Sequence, residues 1–404
     1  MNILFLTQVL PYPLDAGPKM RAYFVLRHLA EQHAVTLATF VRGSDSAQAL
    51  AHVQSLVARL VTCPIKRSGW QEAAAIGRSA LSGEPVLIAR DRVPAMYALL
   101  RQLAAETPFD AVHADQLWMA PYALAASARA AAGRQRPRLV LDQHNAVYLI
   151  PRRLAESAAN PVMRLGWRRE ARQMARYEAA ICRAFDQVVT VTDADRAALD
   201  RLYPDGQRPS FTVIPICIDT QAVRPRPRAE APGILFLGGM HWPPNADGAR
   251  WFADVILPAI LAREPRARFL AVGRQPPEGL LRPDRAGHIE APGYVTDPEP
   301  YWAVSQVFVV PLRSGGGMRV KILEAWAQGL PIVSTTIGAE GLTYRAGEDI
   351  LIADTPEAFA DAVVSILNDA DLARRLAAAG RATVERCYDW QRTYPAWDPI
   401  YALG

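Results

Sequence analysis

The sequence predicts an α/β protein with two Rossmann-like, doubly wound domains, and three observations support this fold class. The chain has 404 residues, whereas a single hydrophobic core rarely grows beyond about 250–300 residues. Short apolar segments alternate with longer amphipathic ones, which is typical of parallel strands covered by helices on both faces. The alternation restarts after a proline- and arginine-rich segment at residues 221–233, which indicates a linker.

The predicted first domain covers residues 1–217, and its strands are the apolar segments 3–9, 35–41, 111–114, 139–141, 188–191 and 212–216. A linker is predicted at 218–233. The second domain covers 234–385, with strands at 234–237, 269–272, 307–311, 332–335 and 350–353, and a further strand that ends at Gly293. An aromatic tail at 386–404 is expected to pack either across the first domain or on its own domain.

Composition narrows the function classes. The formal net charge of +5 suits anionic small ligands or an acidic membrane surface but is too weak to predict nucleic-acid binding. The four cysteines are widely spaced and form no C-x-x-C pair, so neither a zinc site nor a disulfide framework is predicted. No apolar run reaches about 20 residues, and the N-terminal apolar run is too short for a signal peptide. We therefore expect a cytoplasmic protein.

The strongest chemical signal is the glycine-rich segment R-S-G-G-G-M-R-V-K at residues 313–321, between a predicted strand and a predicted helix. Gly315, Gly316 and Gly317 let backbone N–H groups approach a ligand without a Cβ in the way. The following helix directs its positive end at the same point, and Arg319 and Lys321 add two cations. Together these features predict a diphosphate site.

Lys321 and Glu324 are three residues apart and therefore share one face of the predicted helix. In the functional interpretation, Lys321 contacts phosphate while Glu324 accepts hydrogen bonds from a ribose. In the alternative interpretation, the two residues are only a surface ion pair.

Residues 324–333, E-A-W-A-Q-G-L-P-I-V, resemble the donor-site signature of the retaining glycosyltransferases with the GT-B fold, in family four. The resemblance covers essentially the whole chain. The G-x-M-x-W-x-P-N segment at 238–245 resembles a subgroup tied to exopolysaccharide and surface-glycan assembly. The family usually has a glutamate eight residues before Glu324, where this chain has Gly316. It often has an arginine and a lysine after the first strand of the second domain, and this chain has neither there.

The resemblance implies a fold with two domains facing across a cleft, and a set of donor contacts. Backbone N–H groups of Gly316 and Gly317 replace the missing glutamate, and Arg319 and Lys321 replace the missing cations. The expected donor-binding residues are Gly17, Gly239, Gly273, Arg274, Val295, Gly315, Gly316, Gly317, Met318, Arg319, Lys321 and Glu324. Glu340 is a further candidate.

The resemblance implies three catalytic residues. Arg319 and Lys321 belong to the second domain, and His113 ends a strand of the first domain. Lys19 and Arg21 are expected to add positive charge after the first strand. Lys19, Asp115, His144 and Asn145 are expected on the acceptor side. Each has a structural alternative, since a lone histidine is often a core residue and Lys19 follows a proline-fixed turn. None of these residues shows metal-ligand spacing, so no metal and no cofactor besides the donor is expected.

The function expected from the resemblance is transfer of a hexose-type sugar from a UDP-, GDP-, ADP- or dTDP-linked donor, with retention of configuration. The acceptor would be a glycan, a lipid-linked molecule or a small molecule. A nucleotide-sugar 2-epimerase and a non-catalytic nucleotide-sugar-binding protein remain alternatives. A dehydrogenase is disfavoured, because no G-x-G-x-x-G follows the first strand.

Arginines are dense between Arg152 and Arg183, on predicted helix. They predict either a solvated helix face or a peripheral contact with anionic lipid, at the inner face of the plasma membrane, or with a lipid-phosphate acceptor.

Overall fold

The computed structural model describes residues 1–65, 69–128, 136–204, 206–281 and 287–402. The chain divides into two compact units. The first contains Met1–Ile216 together with Thr393–Gly404, and the second contains Cys217–Arg392. Among the described residues, no helix combines the length and the apolar character that crossing a bilayer requires.

The first unit is built on a seven-stranded parallel sheet with the order β3-β2-β1-β4-β5-β6-β7. The central strands are continuous apolar runs, and β4 is buried along its whole length, as expected for a sheet covered on both faces. The strands are β1 Asn2–Thr7, β2 Ala34–Val41, β3 Arg59–Pro64, β4 Ala111–Asp115, β5 Arg138–Gln143, β6 Gln187–Thr190 and β7 Phe211–Val213.

Helices connect these strands and cover the sheet. They are α1 Gly17–Gln32, α2 Ala47–Gln54, α3 Gly69–Ser82, α4 Val86–Arg90, α5 Pro94–Glu106, α6 Ala120–Ser127, α7 Leu149–Ser157, α8 Pro161–Ala184 and α9 Asp193–Asp200. The longest, α8, begins after Asn160, whose side chain accepts hydrogen bonds from the N–H groups of Val162 and Met163. Such a cap satisfies backbone donors that would otherwise lack a partner at the start of a helix.

The second unit has a six-stranded parallel sheet with the order β10-β9-β8-β11-β12-β13. Its strands are β8 Gly233–Leu237, β9 Arg268–Val272, β10 Ile289–Gly293, β11 Ser305–Val310, β12 Ile332–Ser334 and β13 Leu351–Ile352. Its helices are α10 Pro243–Trp251, α11 Leu257–Leu261, α12 Glu299–Ala303, α13 Val320–Ala327, α14 Pro356–Asn368, α15 Ala370–Cys387 and α16 Trp390–Thr393. A π-helical turn, Phe252–Ile256, joins α10 to α11.

The aromatic tail is divided between the two units. Tyr388 belongs to the second unit, where its backbone carbonyl accepts from the N–H of Ile218 over 2.9 Å. The last segment, with α17 Asp398–Tyr401, belongs to the first unit, where Tyr394, Trp397 and Tyr401 are almost completely buried. A hydrogen-bond contact of 2.7 Å between Nε2 of His28 in α1 and Oδ1 of Asp398 also ties this segment to the first unit.

Both sheets have a point where the direction of strand addition reverses. In the first unit it lies between β1 and β4, and in the second between β8 and β11. Ligands of open α/β sheets bind beyond the carboxyl ends of the strands at such points. The loops that follow these four strands are therefore the places to look for a functional site.

Candidate functional site

In the second unit, the glycine-rich segment forms the loop after β11, directly at the reversal point. The loop after β8 is its neighbour, since a Cβ added at Gly315 would lie 3.6 Å from the side chain of Pro244 at the start of α10. Arg313 joins the two loops through an ion pair with Asp247 of α10, with a shortest N–O distance of 2.5 Å. The segment that the sequence singled out thus lies where the sheet topology predicts a ligand.

The loop after β9 touches the loop after β8 through backbone atoms. Gly273 has a φ of 155°, and a Cβ added there would lie 1.9 Å from the carbonyl oxygen of Gly238. The N–H of Met240 donates to the carbonyl of Arg274 over 2.8 Å and holds the contact. Gly273 was predicted as a donor contact. The close approach of the two loops is a separate, structural reason for a glycine at this position.

The loops after β9 and β10 meet through side chains. The guanidinium carbon of Arg274 lies 4.3 Å from the centre of the Tyr294 ring, a cation–π distance. Both side chains are exposed and the neighbouring Val295 is half-buried. This pair presents a flat, cationic surface at the same end of the strands as the glycine-rich loop, and Tyr294 was not in the predicted set.

Arg319 braces the glycine-rich loop from within. Its Nη1 donates to the carbonyl of Gly317 over 2.7 Å and also to the carbonyl of Gly316. Gly315 and Gly317 have φ values of 119° and 81°, which side-chain-bearing residues rarely adopt. The loop shape therefore depends on these glycines and on the Arg319 guanidinium. Met318 is only 9% exposed and packs as a core residue.

Lys321 lies in the first turn of α13 and pairs with Glu324. Its Nζ lies 2.8 and 3.1 Å from the two carboxylate oxygens, and the side chains are 36% and 19% exposed. The predicted shared helix face is thus confirmed. The helix ends at Ala327. Gly329 follows two residues later with a φ of 74°, and its N–H donates to the carbonyl of Trp326 over 3.0 Å, a common glycine termination.

In the first unit, a buried polar cluster lies along β4 and β5. Arg21 of α1 donates from Nε and Nη2 to the two oxygens of Asp142 over 2.8 and 3.0 Å, and both side chains are buried. The Nε2 atom of His144 lies 2.9 Å from Oδ1 of Asp115. The same Nε2 atom also lies 3.8 Å from Oδ2 of Asp142, so His144 is close to both carboxylates. Arg21 was expected to add charge near Lys19, but it forms a buried ion pair instead.

His113 is an interior residue of β4 and is completely buried. Its ring stacks on Phe5 with centroids 4.1 Å apart, and Nδ1 lies 2.6 Å from the hydroxyl of Tyr401 in the C-terminal segment. Burial lowers the pKa of His113 to about 3, so the ring is neutral at ordinary pH. Contrary to the sequence prediction, His113 does not end the strand, because β4 continues to Asp115.

The remaining pKa shifts in this cluster follow from burial and pairing. Burial alone would raise the pKa of Asp142, but the Arg21 guanidinium and the other nearby cations outweigh it and the pKa is lowered. Burial alone would lower the pKa of His144, but Asp115 and its hydrogen bond outweigh it and the pKa is raised. The pKa of Asp115 is raised, chiefly by burial. Opposite charge therefore outweighs burial at Asp142, whereas burial outweighs the attraction of His144 at Asp115.

His113, Asp115 and Asp142 each offer an oxygen or nitrogen atom within 4.8 Å of the others, a spacing compatible with a metal ion. A divalent ion there would have to displace Arg21 from Asp142 and His144 from Asp115. The displaced guanidinium would then be a buried charge without a partner, which is costly. The arrangement fits the Arg21–Asp142 ion pair and the His144–Asp115 contact better than it fits a cation.

The other predicted residues of the first unit lie near the start of α1 or after β5. Gly17 is the first residue of α1, and Lys19 forms an i,i+4 ion pair of 2.9 Å with Asp15. Asn145 is half-buried in the loop after β5. Asp142 and Tyr401 were not among the site residues predicted from the sequence. A signal for Asp142 existed, since it is an acidic residue that follows an apolar run.

Glu178 of α8 anchors the loop after β5. Its carboxylate accepts from the N–H groups of Val147 and Tyr148 over 2.8 and 2.9 Å, and from Nε2 of Gln143 over 2.7 Å. The group is buried. Burial raises its pKa to about 8, although these three hydrogen bonds oppose the shift.

This raised pKa predicts a stability that falls with rising pH. Between pH 4.5 and about 8 the folded state binds the Glu178 proton more tightly than the unfolded chain does. The protonated Glu178 therefore contributes to the free energy of unfolding at low pH, and this contribution is lost as the pH rises through that window. We expect Glu178→Gln to remove most of the decrease in melting temperature between pH 6 and pH 9, as measured by circular dichroism. The matched control is Glu156→Gln, an exposed glutamate of α7, which should leave the wild-type decrease intact. A Glu178→Gln profile parallel to wild type would contradict the prediction.

Two family descriptions match the sequence. "Glycosyltransferase Family 4" matches residues 17–222, half of the chain, and "Glycosyl transferases group 1" matches residues 231–369. The first match covers most of the first unit and extends to residue 222 in the second, and the second match includes the glycine-rich loop and α13. Together they cover most of both units.

Curated relatives include a GDP-mannose-dependent phosphatidylinositol monomannoside mannosyltransferase of Mycobacterium tuberculosis, 29% identical over 211 residues, or 46% of this chain and 54% of that protein. The lipopolysaccharide core biosynthesis glycosyltransferase LpsE of Rhizobium meliloti is 37% identical over 101 residues, or 24% of this chain and 29% of LpsE. The chain spans about half, or less, of the length of these relatives.

Solved structures resemble the whole chain. Anabaena HepE in complex with UDP-glucose has a TM-score of 0.69 at 12% identity, with 100% of both chains covered. Sucrose-phosphate synthase of Thermosynechococcus elongatus has a TM-score of 0.68 at 17% identity, with 99% of this chain and 98% of that chain covered. At such identities the likeness establishes the fold. The two parallel sheets and the likeness to these structures over the whole chain show the GT-B fold. Because a family description matches half of its length, this chain belongs to glycosyltransferase family 4.

Proposed function

We propose that this protein transfers a sugar from a nucleoside-diphosphate sugar to an acceptor hydroxyl, with retention of configuration. One observation carries the proposal: the glycine-rich loop lies at the reversal point of the second unit's sheet and leads into α13, with Lys321 in the first turn. Backbone N–H groups, a helix N-terminus and a lysine are the groups that bind diphosphates in proteins.

The proposed chemistry is charge stabilisation of the leaving group. As the glycosidic bond breaks, negative charge builds on the nucleoside diphosphate. Lys321, the start of α13 and the N–H groups of Gly315–Gly317 stabilise this charge, while Arg319 keeps the loop in shape. Electrostatic stabilisation of this kind is often the largest single catalytic contribution. We propose a same-face displacement assisted by the leaving phosphate, since no carboxylate nucleophile stands out among the described residues.

The relatives support a nucleotide-sugar donor and suggest which to try. HepE was crystallised with UDP-glucose, and the mycobacterial relative is named as GDP-mannose-dependent. We propose that Arg274, Tyr294 and Val295 lie against the base and that Glu324 contacts the ribose. The relatives act on lipid-linked or lipopolysaccharide acceptors by name, so a lipid-linked or glycan acceptor is proposed here. We also propose that His113 takes part in catalysis. The residues proposed to contact the acceptor are Lys19, Asp115, His144 and Asn145.

The first test is a thermal-shift screen with UDP, GDP, ADP, CMP and dTDP, followed by the matching sugars with and without an acceptor in the presence of EDTA. We expect one nucleotide diphosphate to raise the melting temperature and its sugar to be consumed only when an acceptor is present. No stabilisation by any nucleotide would overturn the proposal. Consumption without an acceptor and with epimerised product would indicate an epimerase, and binding without turnover a non-catalytic protein.

Lys321→Ala is expected to weaken binding of the stabilising nucleotide by more than tenfold, because it removes a charge-assisted contact with the diphosphate worth about 1.4 kcal/mol or more. Isothermal titration calorimetry measures the dissociation constant. Arg374→Ala is the matched control, since Arg374 forms an i,i+3 pair with Asp371 on the surface of α15, like Lys321 with Glu324. If both variants bound the nucleotide as tightly as the wild type, the phosphate site would have to lie elsewhere than at α13.

A further inference from the structure

Exposed apolar side chains are unevenly distributed over the first unit. Those that are large and exposed in its described part all lie on α3, α7 and α8. They are Ile76, Leu81, Leu154, Val162, Met163 and Leu165, with exposures of 61, 92, 38, 79, 56 and 67%. Scattered single apolar residues are normal on a protein surface. Leu154, Val162, Met163 and Leu165, however, lie on α7 and α8, which pack against each other, and a group of this kind marks an interaction surface.

The helix α8 has two opposite faces. Glu170, Met174, Glu178 and Cys182 are buried and recur every four residues, which defines the face toward the core. Val162, Leu165, Arg169, Arg172 and Arg176 are exposed at spacings of three and four, which defines the outer face. The outer face is therefore apolar over its first turns and cationic over the following ones.

Hydrogen bonds hold the turn between α7 and α8 in place. Asn160 caps α8, and the Arg164 guanidinium donates from Nε and Nη2 to the carbonyl of Ala158 over 3.1 and 2.9 Å. Leu154 of α7 lies before this turn, and Val162 and Met163 lie directly after it. The turn thus presents apolar side chains to solvent from a backbone that is held in place by hydrogen bonds.

The charge of this segment is strongly positive. Residues 149–176 contain seven arginines and two glutamates, so the segment alone accounts for a charge equal to the formal +5 of the whole chain. Glu170 is buried, where it accepts from the N–H groups of Val86 and Leu87. Glu156 pairs with Arg152 at 3.2 Å. Residues 149–176 contain no further acidic residue that could offset Arg168, Arg169 and the arginines that follow.

We propose that α7 and α8 form a surface that docks on a bilayer containing anionic lipids. Val162, Met163 and Leu165 enter the boundary between headgroups and acyl chains, while the arginines bind the lipid phosphates. This combination of an apolar end and a cationic flank is what peripheral membrane helices use. The proposal does not depend on the transferase activity, although a lipid-linked acceptor would be reached from such a surface.

Charge complementarity favours a bilayer over a second copy of the chain. A symmetric dimer through this face would bring the exposed arginines of both copies together, and like charges across an interface oppose association. An anionic headgroup layer instead provides counter-charges for all of them at once. Arginine stems also pack against apolar surface while their guanidinium groups reach the headgroups.

The test is co-sedimentation of the full chain with phosphatidylcholine vesicles, with and without phosphatidylglycerol, at low and high salt. We expect binding to the anionic vesicles only, and weaker binding as salt screens the arginines. Arg168→Gln/Arg169→Gln/Arg172→Gln should lower the partition coefficient by about a hundredfold, at about 1 kcal/mol per arginine. Val162→Ser/Met163→Ser/Leu165→Ser should lower it at least tenfold, at about 0.8 kcal/mol per buried CH₂ group.

The matched control is Arg263→Gln/Arg266→Gln/Arg268→Gln, which removes three exposed arginines from the second unit. This control should bind vesicles like wild type. All variants alter exposed side chains, so their melting temperatures should match that of the wild type and exclude misfolding. Equal loss in the control and the α8 variants would overturn the proposal. So would a dimer in analytical ultracentrifugation that the serine variant dissociates, because the face would then belong to a second copy.

Discussion

Replacing Arg21 with Met is expected to lower the free energy of unfolding by about 3–5 kcal/mol, because the buried Asp142 carboxylate loses the guanidinium that binds both of its oxygens. Arg21 makes two hydrogen bonds to Asp142 and donates from Nη1 to the carbonyl of Pro215 over 2.6 Å. Its guanidinium carbon lies 4.9 Å from the centre of the Trp397 ring. One side chain therefore links α1, β5, the end of the first unit and the C-terminal segment.

Urea denaturation followed by far-ultraviolet circular dichroism measures this loss. The double variant Arg21→Met/Asp142→Leu should recover at least half of it, since removing both charges also removes the unpaired carboxylate. Arg59→Ala is the control for an exposed pair, because Arg59 and Glu106 are 46% and 39% exposed, and it should cost less than about 1 kcal/mol. A cost for Arg21→Met as small as that of the control would refute the prediction.

The sequence predicted the fold where strands are continuous apolar runs. The two-sheet organisation, the central strands and the restart after the linker were all visible from pattern alone. The edge strand β3 was missed, because R-L-V-T-C-P is half-exposed and has no long apolar run. Edge strands are stabilised by pairing with a neighbour, here β2, and that pairing leaves little trace in the strand's own residues.

The site was predictable where it is local. The glycine-rich loop and the Lys321–Glu324 pair are contiguous in sequence, so spacing alone indicated them. The Arg21–Asp142 pair joins residues 121 positions apart, and the Arg21–Tyr394 contact joins residues 373 positions apart. No local pattern carries such information. The covering of His113 by Tyr401 was hidden for the same reason, since the sequence left open where the aromatic tail packs.

Replacing Gly273 with Ala is expected to destabilise the second unit by about 2–6 kcal/mol, the sum of two costs. The φ of 155° is unfavourable for a residue with a side chain, which costs about 1–3 kcal/mol. The new Cβ would also lie 1.9 Å from the carbonyl oxygen of Gly238, a backbone atom that can yield only if the loop after β8 moves. Displacing a packed segment adds about 1–3 kcal/mol.

Gly293→Ala separates these two costs. Gly293 ends the neighbouring strand with a φ of 83°, but a Cβ there would meet nothing within 4 Å, so the variant has the backbone strain without the collision. We expect it to lose about 1–2 kcal/mol. Because the collision moves the loop that neighbours the glycine-rich segment, Gly273→Ala should also weaken nucleotide binding in calorimetry, whereas Gly293→Ala should retain more of it. Equal stability losses in the two variants would show that backbone conformation alone, and not the contact between the loops, makes Gly273 necessary.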